Sequence, residues 1–150
     1  MTTATTTTTT GTTARAGRGR IATAAVLAAV LTGAVNGAVA VAAVAVGVTA
    51  VMPLNPAIDI AFSVLASIAG AIGWTIVNRR ADDPRRVMAW LAPLVLLVSF
   101  VPDVLLAVAT ASSTGIAPIL ALSLMHVTTI VIAIGVYARL LPLKVSPAAA

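Results

Sequence analysis

Residues 78–86 read NRRADDPRR, with four arginines, two aspartates and a proline in one short stretch. Apolar runs flank it, Ile60–Val77 before and Val87–Ala111 after. The first of these spans about 27 Å as a helix, close to the ~30 Å thickness of a bilayer's hydrocarbon core. So charged a loop cannot lie in hydrocarbon, so the two runs read as membrane-crossing helices that meet at the interface. Upstream, Pro53, Asn55 and Pro56 break the chain, and Asp59 follows where a carboxylate complements the helix dipole. Before that break, Ile21–Val51 is an apolar run in which only Asn36 is strongly polar, which gives a first span at about 21–46 with the residues after it in the outer interface. Downstream, Ser112-Ser113-Thr114-Gly115 gives a tight reversal into a fourth span at about 116–138, with Pro118 tolerated in its first turn. The remaining spans fall at about 60–77 and 87–111. The expected fold is therefore an all-α membrane protein, a four-helix up-down bundle.

Composition agrees. Of 150 residues 60% are hydrophobic and 9% charged, with a mean hydropathy of +1.10. A soluble domain carries about 25% charged residues, and this chain lacks the charge to cover a soluble surface. A typical cytosolic enzyme is excluded, and no catalysis is expected. There is no Cys and no Glu, and only one His. Disulfides and thiolate chemistry are therefore ruled out, and neither a metal site nor a cofactor is expected. The net charge of +5 is not a nucleic-acid footprint, because the arginine clusters lack interleaved aromatics. It reads as a topology signal with an attraction to anionic lipid.

The topology signal is one-sided. Arg15, Arg18 and Arg20 precede the first span; Arg79, Arg80, Arg85 and Arg86 lie between the second and third; Arg139 and Lys144 follow the fourth. All nine basic residues fall on one side of a four-span chain, and the positive-inside rule makes that side cytoplasmic. Both termini are then cytoplasmic, in a multi-pass protein of the plasma membrane. The same Arg-then-apolar pattern opens a signal peptide, but this run is about twice the usual h-region of about 7–15 residues. Residues 1–19, dominated by Thr, have nothing to bury and read as a disordered cytoplasmic tail. Residues 20–140 form the transmembrane domain and 141–150 a second tail.

Helices in lipid associate through small residues and polar contacts. The first span offers Gly33-x-x-x-Gly37 with Asn36 inside it, for packing within the chain or against a second copy. The second aligns Asp59, Ser63, Ser67, Gly70 and Trp74; the third Ser99, Asp103 and Thr110; the fourth Ser123, His126, Thr129, Ala133 and Tyr137. Asp103 and His126 each lie about 12 Å from the outer boundary, on spans joined by the tight reversal, and Ser67 counts to a similar level. An intramembrane ionisable pair reads either as a proton relay or coupling site, or as polar glue between two helices. Pro102 frees the carbonyl of Val98, for a packing kink or for an exposed backbone oxygen. Asp59 counts to the aqueous boundary, so an Asp59–Asp103 protease dyad is not expected. Asp82 and Asp83 read as charge partners for the neighbouring arginines. No nucleophile or nucleotide-binding motif is present.

With SFVPDVLL at Ser99–Leu106 and ALSLMHV at Ala121–Val127, residues 15–140 resemble a family of small four-helix actinobacterial membrane proteins of unknown function. The resemblance implies four spans and points to Asp103 and His126 as the positions to test; it implies no activity. Small multidrug transporters are less similar, since their hallmark is a first-helix Glu and this chain has none. The expected function is a structural or partner-binding membrane component, meeting the lipid bilayer and either a second copy or other membrane proteins. The alternative is a small proton-coupled transporter or channel subunit using Asp103 and His126, with Asn36, Ser67, Ser99 and Pro102 in support.

Overall fold

The computed structural model describes residues 17–48, 56–110 and 116–145. The Thr-rich segment with Arg15, the break at Pro53 and Asn55, the reversal at Ser112–Gly115 and the last five residues lie outside the described residues. The described chain is helical throughout: α1 (Arg18–Ala45), α2 (Pro56–Arg80), α3 (Pro84–Ser99), α4 (Val101–Thr110) and α5 (Ala117–Leu140). Four helical stretches are long and apolar enough to cross a membrane, α3 and α4 together making one of them, Pro84–Ala109.

Local chemistry accounts for the boundaries. α2 opens on Pro56, whose missing N–H is no loss in a first turn, and runs on through Arg79 and Arg80, which complement the negative end of its dipole. Asp83 caps α3, its Oδ1 accepting from the Arg86 backbone N–H at 3.1 Å. Asp82 and Asp83 form no salt bridge with the surrounding arginines among the described residues, contrary to the expectation of local charge pairing. Asp83 serves the backbone instead, a role that exposed ion pairs of about 0–1 kcal/mol do not outweigh. The third span breaks at Phe100, where the Phe100 N–H bonds to the Leu97 carbonyl, three residues back, at 3.2 Å. Pro102, two residues on, has no N–H to carry the helical ladder through this point. The break is confined to one residue, between Ser99 and Val101. Pro93 lies inside α3 without ending it.

The four spans run alternately up and down, but they do not contribute equally. α1 packs most extensively against α2 and next against α5, and these three form the core. Small residues allow it: Ala24, Ala28 and Ala40 of α1 and Ala71 of α2 are fully buried or nearly so. The Gly33–Gly37 face of α1 receives Ile60 of α2, which a Cβ at either glycine would meet at 3.5–3.6 Å. That motif serves packing within the chain. The span made by α3 and α4 lies on the outside of this core, and large apolar side chains such as Leu97 and Val108 point outward. In lipid such exposure carries no hydrophobic penalty.

Two glycines of α2 occupy opposite situations. A Cβ at Gly70 would sit 3.2 Å from the Tyr137 ring and hydroxyl, whereas one at Gly73 would meet nothing within 4 Å. Gly73→Ala is expected to raise the unfolding midpoint in mixed-micelle denaturant titrations, by the ~0.5–1 kcal/mol that glycine loses in a helix. Gly70→Ala is expected to lower it by about 1–2 kcal/mol, because Tyr137 must shift.

Candidate functional site

The polar side chains of the spans gather into two sites. The larger runs down the interior of the three-helix core, built on the face of α2 that carries Asp59, Ser63, Ser67 and Trp74, all buried. Each serine first satisfies its own helix: Ser63 Oγ donates to the Asp59 carbonyl and Ser67 Oγ to the Ser63 carbonyl, both at 2.7 Å. Their lone pairs then face α1. Asn36 Nδ2 donates to Ser63 Oγ at 2.8 Å and to Thr129 Oγ1 of α5 at 2.7 Å, while Asn36 Oδ1 accepts from Thr128 Oγ1 at 2.8 Å. One amide thus ties α1, α2 and α5 together with three hydrogen bonds. A turn further along, Thr32 Oγ1 lies 3.0 Å from Ser67 Oγ, and the Tyr137 hydroxyl donates to the Ser67 carbonyl.

The seam continues to the basic end of the bundle. Trp74 Nε1 donates to the Leu141 carbonyl at 2.8 Å, and the Trp74 and Tyr137 rings lie 5.8 Å apart and tilted. Arg20 donates to the Leu140 carbonyl at 2.8 Å, and Asn78 Nδ2 to the Pro142 carbonyl at 3.1 Å. The Lys144 N–H closes the set by donating to Asn78 Oδ1 at 2.9 Å. Carbonyls at a helix C-terminus have no partner within the helix, and here α1 and α2 supply partners for those at the end of α5. These contacts bring the start of α1 and the ends of α2 and α5 together, so Arg18, Arg20, Arg79, Arg80, Arg139 and Lys144 share one end of the bundle, with Arg85 and Arg86 on the helix that follows the loop.

The smaller site joins α4 to α5. His126 Nε2 lies 3.3 Å from Asp103 Oδ1, and Ser123 Oγ donates to Asp103 Oδ2 at 3.3 Å. The Phe100 ring, at the kink, stands edge-on to the imidazole with centroids 5.9 Å apart. Phe100 and Asp103 are three residues apart on either side of Pro102, so the kink lets both reach His126. Asp103 is only 5% exposed, while the His126 side chain is 34% exposed and lines a cavity between α2, α3 and α5.

Several sequence positions land elsewhere than counting implies. Ser67 does not share the level of Asp103 and His126. Ser63 sits nearer that level, through Asn36 and Thr129, because α2 starts at Pro56 rather than Ile60 and the count began a turn late. Ser99 bonds the Leu96 carbonyl of its own helix at 2.7 Å and does not reach Asp103. Pro102 is exposed. Asp59 is buried within the protein, 8% exposed, and its Oδ2 has no hydrogen-bond partner among the described residues. No hydrogen bond joins it to Asp103. Sequence reading missed Thr32, Thr128 and Asn78. Thr32 and Thr128 back-bond to their own helices in an apolar run, and only the rotation of each helix shows what else they face. No group of three or more His, Cys, Asp or Glu residues gathers among the described residues.

Interhelical hydrogen bonds in lipid average about 0.6 kcal/mol, with a maximum of about 1.7. Asn36→Ala, which loses three, is expected to destabilise the protein by about 2 kcal/mol in steric-trapping or SDS-unfolding measurements. A double-mutant cycle of Asp103→Asn and His126→Ala is expected to return a coupling of about 1 kcal/mol. Asn36→Ala combined with Asp103→Asn is expected to be additive, since the two sites share no hydrogen-bond partner.

No curated protein and no solved structure matches the chain. A family profile does match, over residues 12–142, which takes in every described helix. The chain belongs to the family of unknown function DUF6069.

Proposed function

We propose that this small membrane protein is a structural or partner-binding component of the plasma membrane, with no catalysis of its own. One observation carries the reading. Asp103, the carboxylate that a coupling mechanism would have to expose to an aqueous path, is sealed between α4 and α5 and engaged by His126 and Ser123. A buried carboxylate held from two sides fastens a kinked outer helix to the core, which is the glue role. The polar seam is equally occupied, with Asn36, Ser63, Ser67, Thr32, Thr128 and Thr129 satisfying one another. The partners in this reading are the bilayer and either a second copy or another membrane protein. Use of Arg at eight of nine basic positions, with Ala and Val richness, supports a high-GC actinobacterial source.

A second reading rests on His126. Its side chain is one-third exposed and borders a cavity, so a proton taken up there would be passed to Asp103. This is the small proton-coupled transporter or channel subunit. Proton flux into liposomes carrying the purified protein separates the two. The glue reading expects flux no greater than in empty liposomes, with Asp103→Asn and His126→Ala only less stable. Flux that vanishes in Asp103→Asn while the fold is kept overturns it.

The clustering of basic residues at one end supports an orientation with both termini in the cytoplasm. The chain has no Cys, so single introduced cysteines read topology cleanly. Asp82→Cys is expected to resist membrane-impermeant maleimide in intact cells, and Ser113→Cys to be labelled. The reverse pattern inverts the orientation.

A further inference from the structure

The third span leaves a gap against the core, and the gap has a definite shape. A cavity of about 420 Å³ lies between α2, α3 and α5, within the ~300–1,000 Å³ typical of small-molecule sites. Its walls are apolar. On α2 they include Ala69, Gly73 and Trp74, and on α3 they include Met88, Ala92 and Val95, with His126 and Ser99 at the far end. The walls on α3 extend from Met88 to Ser99, about 16 Å of helix, which matches the ~15 Å hydrocarbon depth of one leaflet.

Gly73 is the telling residue. Small residues in membrane helices normally permit close approach of a neighbour. Here a Cβ at Gly73 would meet nothing within 4 Å, so glycine holds space open instead of bringing α3 in. Charge lies beyond one end of the cavity. The cavity-lining stripe of α3, residues 88, 92, 95 and 99, extends back one step to Arg85, and that of α2, residues 66, 69, 70 and 73, extends forward two turns to Arg80. Both arginines are exposed, and neither forms a salt bridge among the described residues, although Asp82 and Asp83 lie between them in sequence.

We propose that this cavity binds one anionic membrane lipid, an acyl chain running along Gly73 and Ala92 toward His126 and the phosphate resting between Arg80 and Arg85. An apolar slot about one leaflet long, with two exposed and unpaired guanidinium groups further along the same helix faces, matches an amphiphile with an anionic head. The inference rests on the membrane placement of the chain but not on the role of Asp103.

The experiment uses Trp74, which lines the cavity and is 4% exposed. Trp90, 76% exposed, is the other tryptophan, and Trp90→Phe leaves Trp74 as the sole fluorophore. That protein is placed in vesicles of phosphatidylglycerol and phosphatidylcholine, with bromine on the acyl chains of one lipid or the other at fixed overall composition. Brominated phosphatidylglycerol is expected to quench Trp74 more strongly, since each arginine near the surface enriches an anionic lipid roughly fivefold. Arg80→Gln with Arg85→Gln is expected to equalise the two lipids. Gly73→Leu, or Ala92→Leu from the opposite wall, is expected to remove quenching by both, while Gly73→Ala keeps it and shows that the helix tolerates substitution. Equal quenching in the protein with its arginines intact overturns the proposal, as does a preference that survives their replacement. Quenching that survives both leucine variants removes the chain from the cavity. Loss of the preference on adding millimolar inorganic phosphate assigns the arginines to a free anion and overturns the lipid. No quenching at all, together with cross-linked dimers, gives the slot to a second copy of the chain. An independent readout is retention of phosphatidylglycerol by the detergent-extracted protein in native mass spectrometry, expected to disappear in the same variants.

Discussion

A single amide, that of Asn36, sits where three helices meet. Its two donors and its carbonyl are all used, on Ser63, Thr129 and Thr128. Ser63 gives its own proton to the Asp59 carbonyl, which leaves its oxygen lone pairs to accept from the amide. In lipid no water is present to take over a lost partner, so the rotation of α1 against α2 and α5 is set by this contact. Apolar packing agrees with it: α1 turns Ala24, Ala28, Gly33 and Ala40 inward and Val26, Leu27, Val30 and Val35 outward. The small residues give proximity and the amide gives register.

From that hub the seam extends toward the basic end of the bundle. Toward the basic end lie Thr32 with Ser67, Tyr137 on the Ser67 carbonyl, and then Trp74, Asn78 and Arg20 on the carbonyls that end α5. This end is closed by hydrogen bonds between distant parts of the chain. Toward the other end lies Asp59, whose Oδ2 has no hydrogen-bond partner among the described residues.

The four helical spans were legible because apolar run length and the placing of arginines are properties of composition along the chain, and the charged loop at 78–86 leaves no other arrangement. The meeting of Asp103 and His126 was legible for a related reason: two antiparallel helices joined by a short turn let depth be counted from the turn. Counting failed for Ser67, since the start of α2 depends on Pro56 and not on where the apolar run begins. The burial of Asp59 was not legible by counting, because it is set by the helices around it rather than by distance along the chain. The partners of Asn36 were beyond reach for a deeper reason. Hydroxyls at 32, 63, 128 and 129 look alike in sequence, and which of them meet is decided by helix rotation. The closure of α5 by Trp74, Asn78 and Arg20 depends on contacts 64 to 120 residues apart, which no local pattern encodes.

The peripheral third span follows from the same logic. A helix joins a membrane bundle closely when it brings small residues or polar groups to the contact. α3 brings Leu91, Val95 and Met88 toward α2, which are large, while α2 offers Ala66, Ala69, Gly70 and Gly73, which are small. Large against small would interlock if the helices approached, but among the described residues α3 has no hydrogen bond to the core to hold it there. Its only polar residue within the span, Ser99, is spent on its own helix. Attachment is left to α4, one turn past the kink, where Asp103 meets His126 and Ser123. The span is thus pinned at one end by polar contacts and, at the other, tied covalently through the loop Ala81–Asp83. Between these two points Met88 packs on the core near Trp74 and Tyr137, and beyond it a cavity about one leaflet long is the geometric result.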